Sequence, residues 1–131
     1  MKRFLFATLT IVFALSLFSF IASEKKAAWN IPAKYTAMKI QKKGDAASIA
    51  LGKTLYAKHC KACHGLGKGD GPKAASLKTA MDDLKTPAFK AIPDGNKYFM
   101  VFVGRGEMTS FDKKITDEEE RWAIVNYLNS L

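Results

Sequence analysis

Cys60-Lys61-Ala62-Cys63-His64 puts two thiols three positions apart and an imidazole directly after the second. Cys-x-x-Cys-His is the spacing at which a c-type haem is attached: each thiol adds to one vinyl group of the porphyrin, and the next side chain reaches the iron. At a helix end, positions three apart fall on neighbouring turns of one face, so the groups point the same way. The expected cofactor is one haem c, bound covalently through Cys60 and Cys63, with His64 as the proximal iron ligand.

Other chemistries fit the same residues less well. A structural zinc site wants four Cys or His ligands in two separated pairs. This chain has two cysteines, with His59 and His64 packed beside them and no second half. A thioredoxin-like redox pair needs a preceding βαβ pattern, whereas the residues before Cys60 carry helical periodicity. A Cys60 to Cys63 disulfide would close a tiny loop and stabilise little.

The 131 residues suffice for one domain, and the first 23 are expected to lie outside it. Lys2 and Arg3 precede an uncharged stretch from Phe4 to Ser23, the layout of a secretory signal with cleavage just ahead of Glu24. An uncleaved membrane anchor is the competing reading, since the stretch is long enough to span a bilayer. Thr8, Thr10, Ser16 and Ser19 dilute it and favour cleavage, so the domain is expected in the periplasm or otherwise exported. Neither cysteine is near enough to serve as a lipid attachment point. Loss of Lys2 and Arg3 with the segment leaves 19 basic and 12 acidic residues, a charge of +7. Lys58, Lys61, Lys68 and Lys73 lie close to the motif, so positive potential is expected where electrons would enter and leave. Charge this scattered, without a recognised module, argues against nucleic-acid binding.

Residues 24–44 contain Pro32 and keep no sustained period, which predicts an extended arm, anchored to the domain by Trp29, Tyr35 and Met38. The domain itself spans 45–131. Ile49, Leu51, Gly52, Leu55 and Tyr56 recur at helical spacing and predict a first helix from Asp45 to His59. Four glycines between Gly65 and Gly71 exclude regular structure and let the backbone pass close to a flat ligand. No Gly-Lys-Ser/Thr ending follows, so a phosphate loop is disfavoured. The stretch from Lys73 to Pro93 reads as irregular, with a helical turn at Pro87 to Lys90. Asp94 is the expected N-cap of a helix through Val103 that Gly104 ends. Thr116-Asp117-Glu118-Glu119 has the form of a capping box, and Trp122, Ile124, Val125, Tyr127 and Leu128 supply the apolar face of a last helix. No alternating strand pattern occurs, so the fold class is all-α.

With these elements placed, residues 45–131 resemble the monohaem class I c-type cytochromes. Gly52, Tyr56 and Cys60 follow at four-residue steps as in that family's first helix, and Ile124 with Tyr127 match the pair on its last. The resemblance implies that the two helices cross at the glycine, with the haem enclosed by loops and short helices. Gly71-Pro72 resembles the Gly-Pro whose proline carbonyl accepts a hydrogen bond from the proximal histidine Nδ1, which would orient His64. The family draws its sixth ligand from a methionine between the last two helices, and Met108, after Gly104-Arg105-Gly106-Glu107 and before Phe111, stands in that place. Where the family usually has a proline next, this chain has Thr109, and the loop is less rigid for it. Met38, Met81, Met100 and His59 are weaker candidates by position.

Histidine and methionine together saturate an iron, which implies a monomeric one-electron carrier and not an enzyme, working between redox proteins with acidic docking surfaces. A haem subunit of a larger oxidoreductase, and a haem enzyme or sensor with a labile sixth ligand, are the alternatives. Donor and acceptor identities do not follow from fold-level resemblance.

Overall fold

A computed structural model describes residues 28–131. The signal or anchor expected over 1–23, and the first residues of the arm, lie outside the described residues. The elements in chain order are α1 (Ala33–Thr36), α2 (Ala46–His59), α3 (Lys61–His64), a 3₁₀ turn (Ala74–Ser76), α4 (Pro87–Lys90), α5 (Asp94–Val103) and α6 (Glu118–Ser130). The domain is all-α: among the described residues the one piece of β pairing is an isolated bridge between Arg105 and Met108. No helix among them is long and apolar enough to cross a membrane.

Local chemistry sets most helix starts. Asp45 accepts the Ser48 N–H at 2.8 Å and caps α2. Thr86 accepts from the Phe89 amide at 3.2 Å, with Pro87 pre-set at the first position of α4. Two caps differ from the sequence reading. Asp117, not Thr116, caps α6, accepting from Glu119 and Glu120 N–H at 2.7 and 3.3 Å. A carboxylate suits the positive end of a helix better than a hydroxyl does. Pro93 precedes α5 without a side-chain cap, and Asp94 is already helical. Its carboxylate is drawn away to Lys43 and Asn129, both distant in sequence. Gly104, at φ 70°, ends α5 as expected.

Helices α2 and α6 make the most extensive helix pair. They cross at Gly52, where a Cβ would run into the Ala123 carbonyl and lie 2.9 Å from the Tyr127 Cβ. Leu55 and Tyr56 of α2, Ile124, Val125 and Leu128 of α6, and Tyr98, Val101 and Phe102 of α5 form the core, closed by Leu84 and Ile115 from loops. Leu51, counted in the helical spacing, is 42% exposed. The buried stripe of α2 is Gly52, Leu55 and Tyr56, and Leu51 falls on its flank.

Residues 28–44 run against this core and include the single turn α1. Tyr35 lies against Tyr98 and Phe99, with ring centroids 6.4 and 4.8 Å away, and Trp29 meets Phe99 edge-on at 6.3 Å. Gly95 makes room for the segment, since a Cβ there would strike the Tyr35 carbonyl. Asn126, fully buried on α6, fixes the segment's end: it accepts from Gly44 N–H at 2.8 Å and donates to the Lys42 carbonyl at 2.8 Å and Ser48 Oγ at 3.1 Å.

Candidate functional site

The motif begins where α2 ends. Cys60 still donates its N–H to the Tyr56 carbonyl at 2.8 Å, then the chain tightens into α3, with Cys63 and His64 N–H both donating to the Cys60 carbonyl at 3.1 and 2.9 Å. One turn therefore carries Cys60, Cys63 and His64. Both thiols are free and half-buried. Burial, and then the neighbouring Cys63, push the Cys60 thiol up to about 12. Reactive redox pairs work through a low-pKa thiolate, so this environment disfavours disulfide-exchange chemistry.

Burial lowers the pKa of His64, with Asp82 opposing it. A neutral imidazole is the form that ligates a metal. Its Nδ1 is buried and has no hydrogen-bond partner among the described residues. The bond to the Pro72 carbonyl implied by the resemblance is thus not formed here. The backbone around Pro72 meets the motif through N–H groups instead: Gly71 donates to the Cys63 carbonyl at 3.1 Å and Lys73 to that of Ala62 at 2.9 Å. The approach is close, since a Cβ on Gly71 would lie 2.6 Å from the Ala62 and Lys61 carbonyl oxygens. Gly65, Gly67 and Gly69 have positive φ, and Leu84 donates to the Gly67 carbonyl at 2.7 Å. Segment 77–84 is thereby laid along the glycine loop.

Met108 stands on a separate loop and is half-buried. Arg105 and Met108 exchange both backbone hydrogen bonds, 2.8 and 3.0 Å, to make a tight turn after Gly104. Glu107 ties that turn to segment 77–84, accepting from Lys78 and Thr79 N–H at 3.0 and 2.9 Å. Those two bonds lower the Glu107 pKa. Sequence reasoning gave Glu107 no such role, and nothing local to it signals one. The weaker ligand candidates have other surroundings. His59 packs edge-on against Phe111 at 6.1 Å, the Met81 Cβ lies where a Gly69 side chain would go, and Met38 packs on the core.

The arrangement fits a covalently held, flat metal cofactor. Two thiols and a neutral imidazole share one turn, an orphaned ring nitrogen awaits an acceptor, and the backbone at Gly71 hydrogen-bonds to the motif too closely to leave room for a side chain. A family model described as Cytochrome c matches residues 49–131. No curated protein matches the chain.

Proposed function

Because this chain belongs to the cytochrome c family, with the haem-based electron transfer that membership carries, we propose that it is an exported one-electron carrier with His64 and Met108 as axial ligands. The observation that carries the reading is the Cys60 to His64 turn, which supplies two thiols and one neutral imidazole on adjacent positions. A haem held there supplies a one-electron couple at its iron.

The protein's part in that chemistry is binding, orientation and exclusion of water. Cys60 and Cys63 would hold the porphyrin by thioether bonds, which would retain the cofactor through every redox cycle. His64, kept neutral by burial, offers its Nε2 to the iron while its Nδ1 remains available as a donor, a second bond that would fix the ring and raise its basicity. Met108 would offer a thioether, a ligand that would favour the ferrous state. With His64 and Met108 both on the iron, no position would be left for substrate. The alternatives, a fixed subunit or an enzyme with a labile sixth ligand, require that the Met108 position open or that a partner copurify.

Two measurements test the reading. Mass spectrometry of the exported protein should give the mature chain plus one haem, and a chain without that mass sinks it. Met108→Ala should remove the methionine-to-iron absorption of the ferric protein and let carbon monoxide bind the ferrous form, whereas Met100→Ala and Met81→Ala should do neither.

A further inference from the structure

The turn that carries Met108 is fastened from the far end of the chain. The Arg105 guanidinium lies over the Trp29 ring, 4.2 Å from its centroid, and Arg105 Nη1 donates to the Ala28 carbonyl at 3.1 Å. The same residue's backbone makes both hydrogen bonds to Met108. Trp29 is in turn braced edge-on by Phe99 of α5, and Phe99 is also covered by Tyr35. A path of direct contacts thus joins the N-terminal segment to the turn. We propose that Trp29 and Arg105 form a latch through which this segment holds the Met108 turn closed and sets how firmly Met108 stays on the iron. The latch rests on the reading of Met108 as the sixth ligand.

The turn needs such a latch for physical reasons. Residues 104–111 contain no proline, and Gly104 and Gly106 have φ of 70° and 59°, so the backbone is the freest kind available. A Cβ at Gly106 would meet nothing within 4 Å, so packing does not hold the tip. The base of the turn is held by Ser110 Oγ and Phe111 N–H, which both donate to the Phe102 carbonyl, and further out the Glu107 carboxylate ties it on one side and Trp29 with Arg105 on the other. Trp29 and Arg105 are positioning residues: Arg105 belongs to the turn and packs on Trp29, which Phe99 backs. Removing one exposed cation–π contact and one hydrogen bond should raise the open fraction by roughly tenfold.

The test uses the full-length holoprotein with Trp29→Ala and Arg105→Gln. Amide exchange at Met108, whose N–H is bonded to the Arg105 carbonyl, should speed by about tenfold in Arg105→Gln and by about threefold in Trp29→Ala, which keeps the bond to the Ala28 carbonyl, with the amides of α6 unchanged. Imidazole added to the ferric protein as a competing ligand should bind more tightly by about the same factors. Trp29→Phe, which keeps an aromatic face under Arg105, should restore most of both effects. Unchanged exchange and unchanged imidazole affinity would overturn the latch, as would an equal speeding of the α6 amides, which would mean general loosening. Met108→Ala separates the two ideas: if that variant keeps the native ferric spectrum, the ligand reading has failed, while Met108 exchange in the Trp29 and Arg105 variants still judges the fastening itself.

Discussion

Lys97 Nζ donates to Asn129 Oδ1 at 2.6 Å, joining α5 to α6 through an ammonium that is almost wholly buried. The same nitrogen donates to the Lys90 carbonyl at 3.1 Å and stands 5.2 Å from the centre of the Phe89 ring. Asn129 donates in turn to Asp94 at 2.8 Å, and Asp94 receives Lys43 at 3.1 Å. The charges and the amide therefore form one chain across α5, α6 and the N-terminal segment.

This chain gives stability a pH dependence at both ends of the scale. Burial lowers the Lys97 pKa from its ordinary 10.5, Asp94 opposing and Lys43 adding to it. A depressed folded pKa means a contribution that is complete above 10.5 and is lost as pH falls through the folded value. At Asp94 burial would raise the pKa, but hydrogen bonds from Asn129 and Lys43, with the charges of Lys43 and Lys97, hold it below 3.8. Its contribution is present above 3.8 and is lost as pH drops further. Urea midpoints against pH should accordingly flatten below pH 3.8 in Asp94→Asn and in the alkaline limb in Lys97→Met. Curves parallel to the parent's would remove the chain as the source.

Gly52→Ala sets two effects against each other. Alanine favours a helix over glycine by about 1 kcal/mol, while forcing a methyl into a packed site costs about 1–3 kcal/mol or more. Here the obstruction is the Ala123 backbone carbonyl, which cannot rotate aside as a side-chain tip could. We expect net destabilisation of about 2 kcal/mol, read as a lowered denaturant midpoint with the slope unchanged. A stabilised variant would mean that the helices part easily at this crossing.

Buried polar groups with and without partners should respond oppositely. The Tyr56 hydroxyl is buried and unpaired, the Gly67 backbone lying near it but outside hydrogen-bonding geometry, and burial raises its pKa well above the ordinary 10.0. Tyr56→Phe should be neutral or slightly stabilising in thermal unfolding, since no bond is lost. Asn126→Ala strands the Gly44 N–H and the Lys42 carbonyl and should cost about 2 kcal/mol or more. Equal losses in both variants would refute the distinction.

We expect docking to rest on the lysines near the motif. Lys73 is brought beside the motif by its N–H bond to the Ala62 carbonyl, and Lys61 is on the same turn, both exposed. Lys114 stands 5.5 Å from the centre of the Phe111 ring. We expect association with an acidic redox partner to be steered by the first pair and screened over about 8 Å at physiological salt. Stopped-flow rates should fall steeply with salt, and charge reversal at Lys61 or Lys73 should lower them far more than reversal at Lys113 or Lys114. A flat salt dependence, or equal losses at both pairs, would leave these lysines as plain solvating charge.

That Cys60, Cys63 and His64 share one turn was legible in the sequence because it depends on local spacing: they need only one turn of helix to converge. The same holds for the all-α class, the glycine loop, the turn at Pro87 and the stop at Gly104, which follow from periodicity and backbone freedom, while the crossing at Gly52 came from the family resemblance. Only the tertiary structure decided which polar groups work together. Asp94 leaves its cap position because Lys43 and Asn129 arrive from 51 and 35 residues away. Lys97, which any local pattern would place in water, is enclosed because Asn129, the Lys90 carbonyl and the Phe89 face close around it. Arg105 reaches Ala28 across 77 positions, and Glu107 reaches Lys78 across 29. Partners this far apart are chosen by the path of the chain and leave no period behind, so how the Met108 turn is held was decided by the fold.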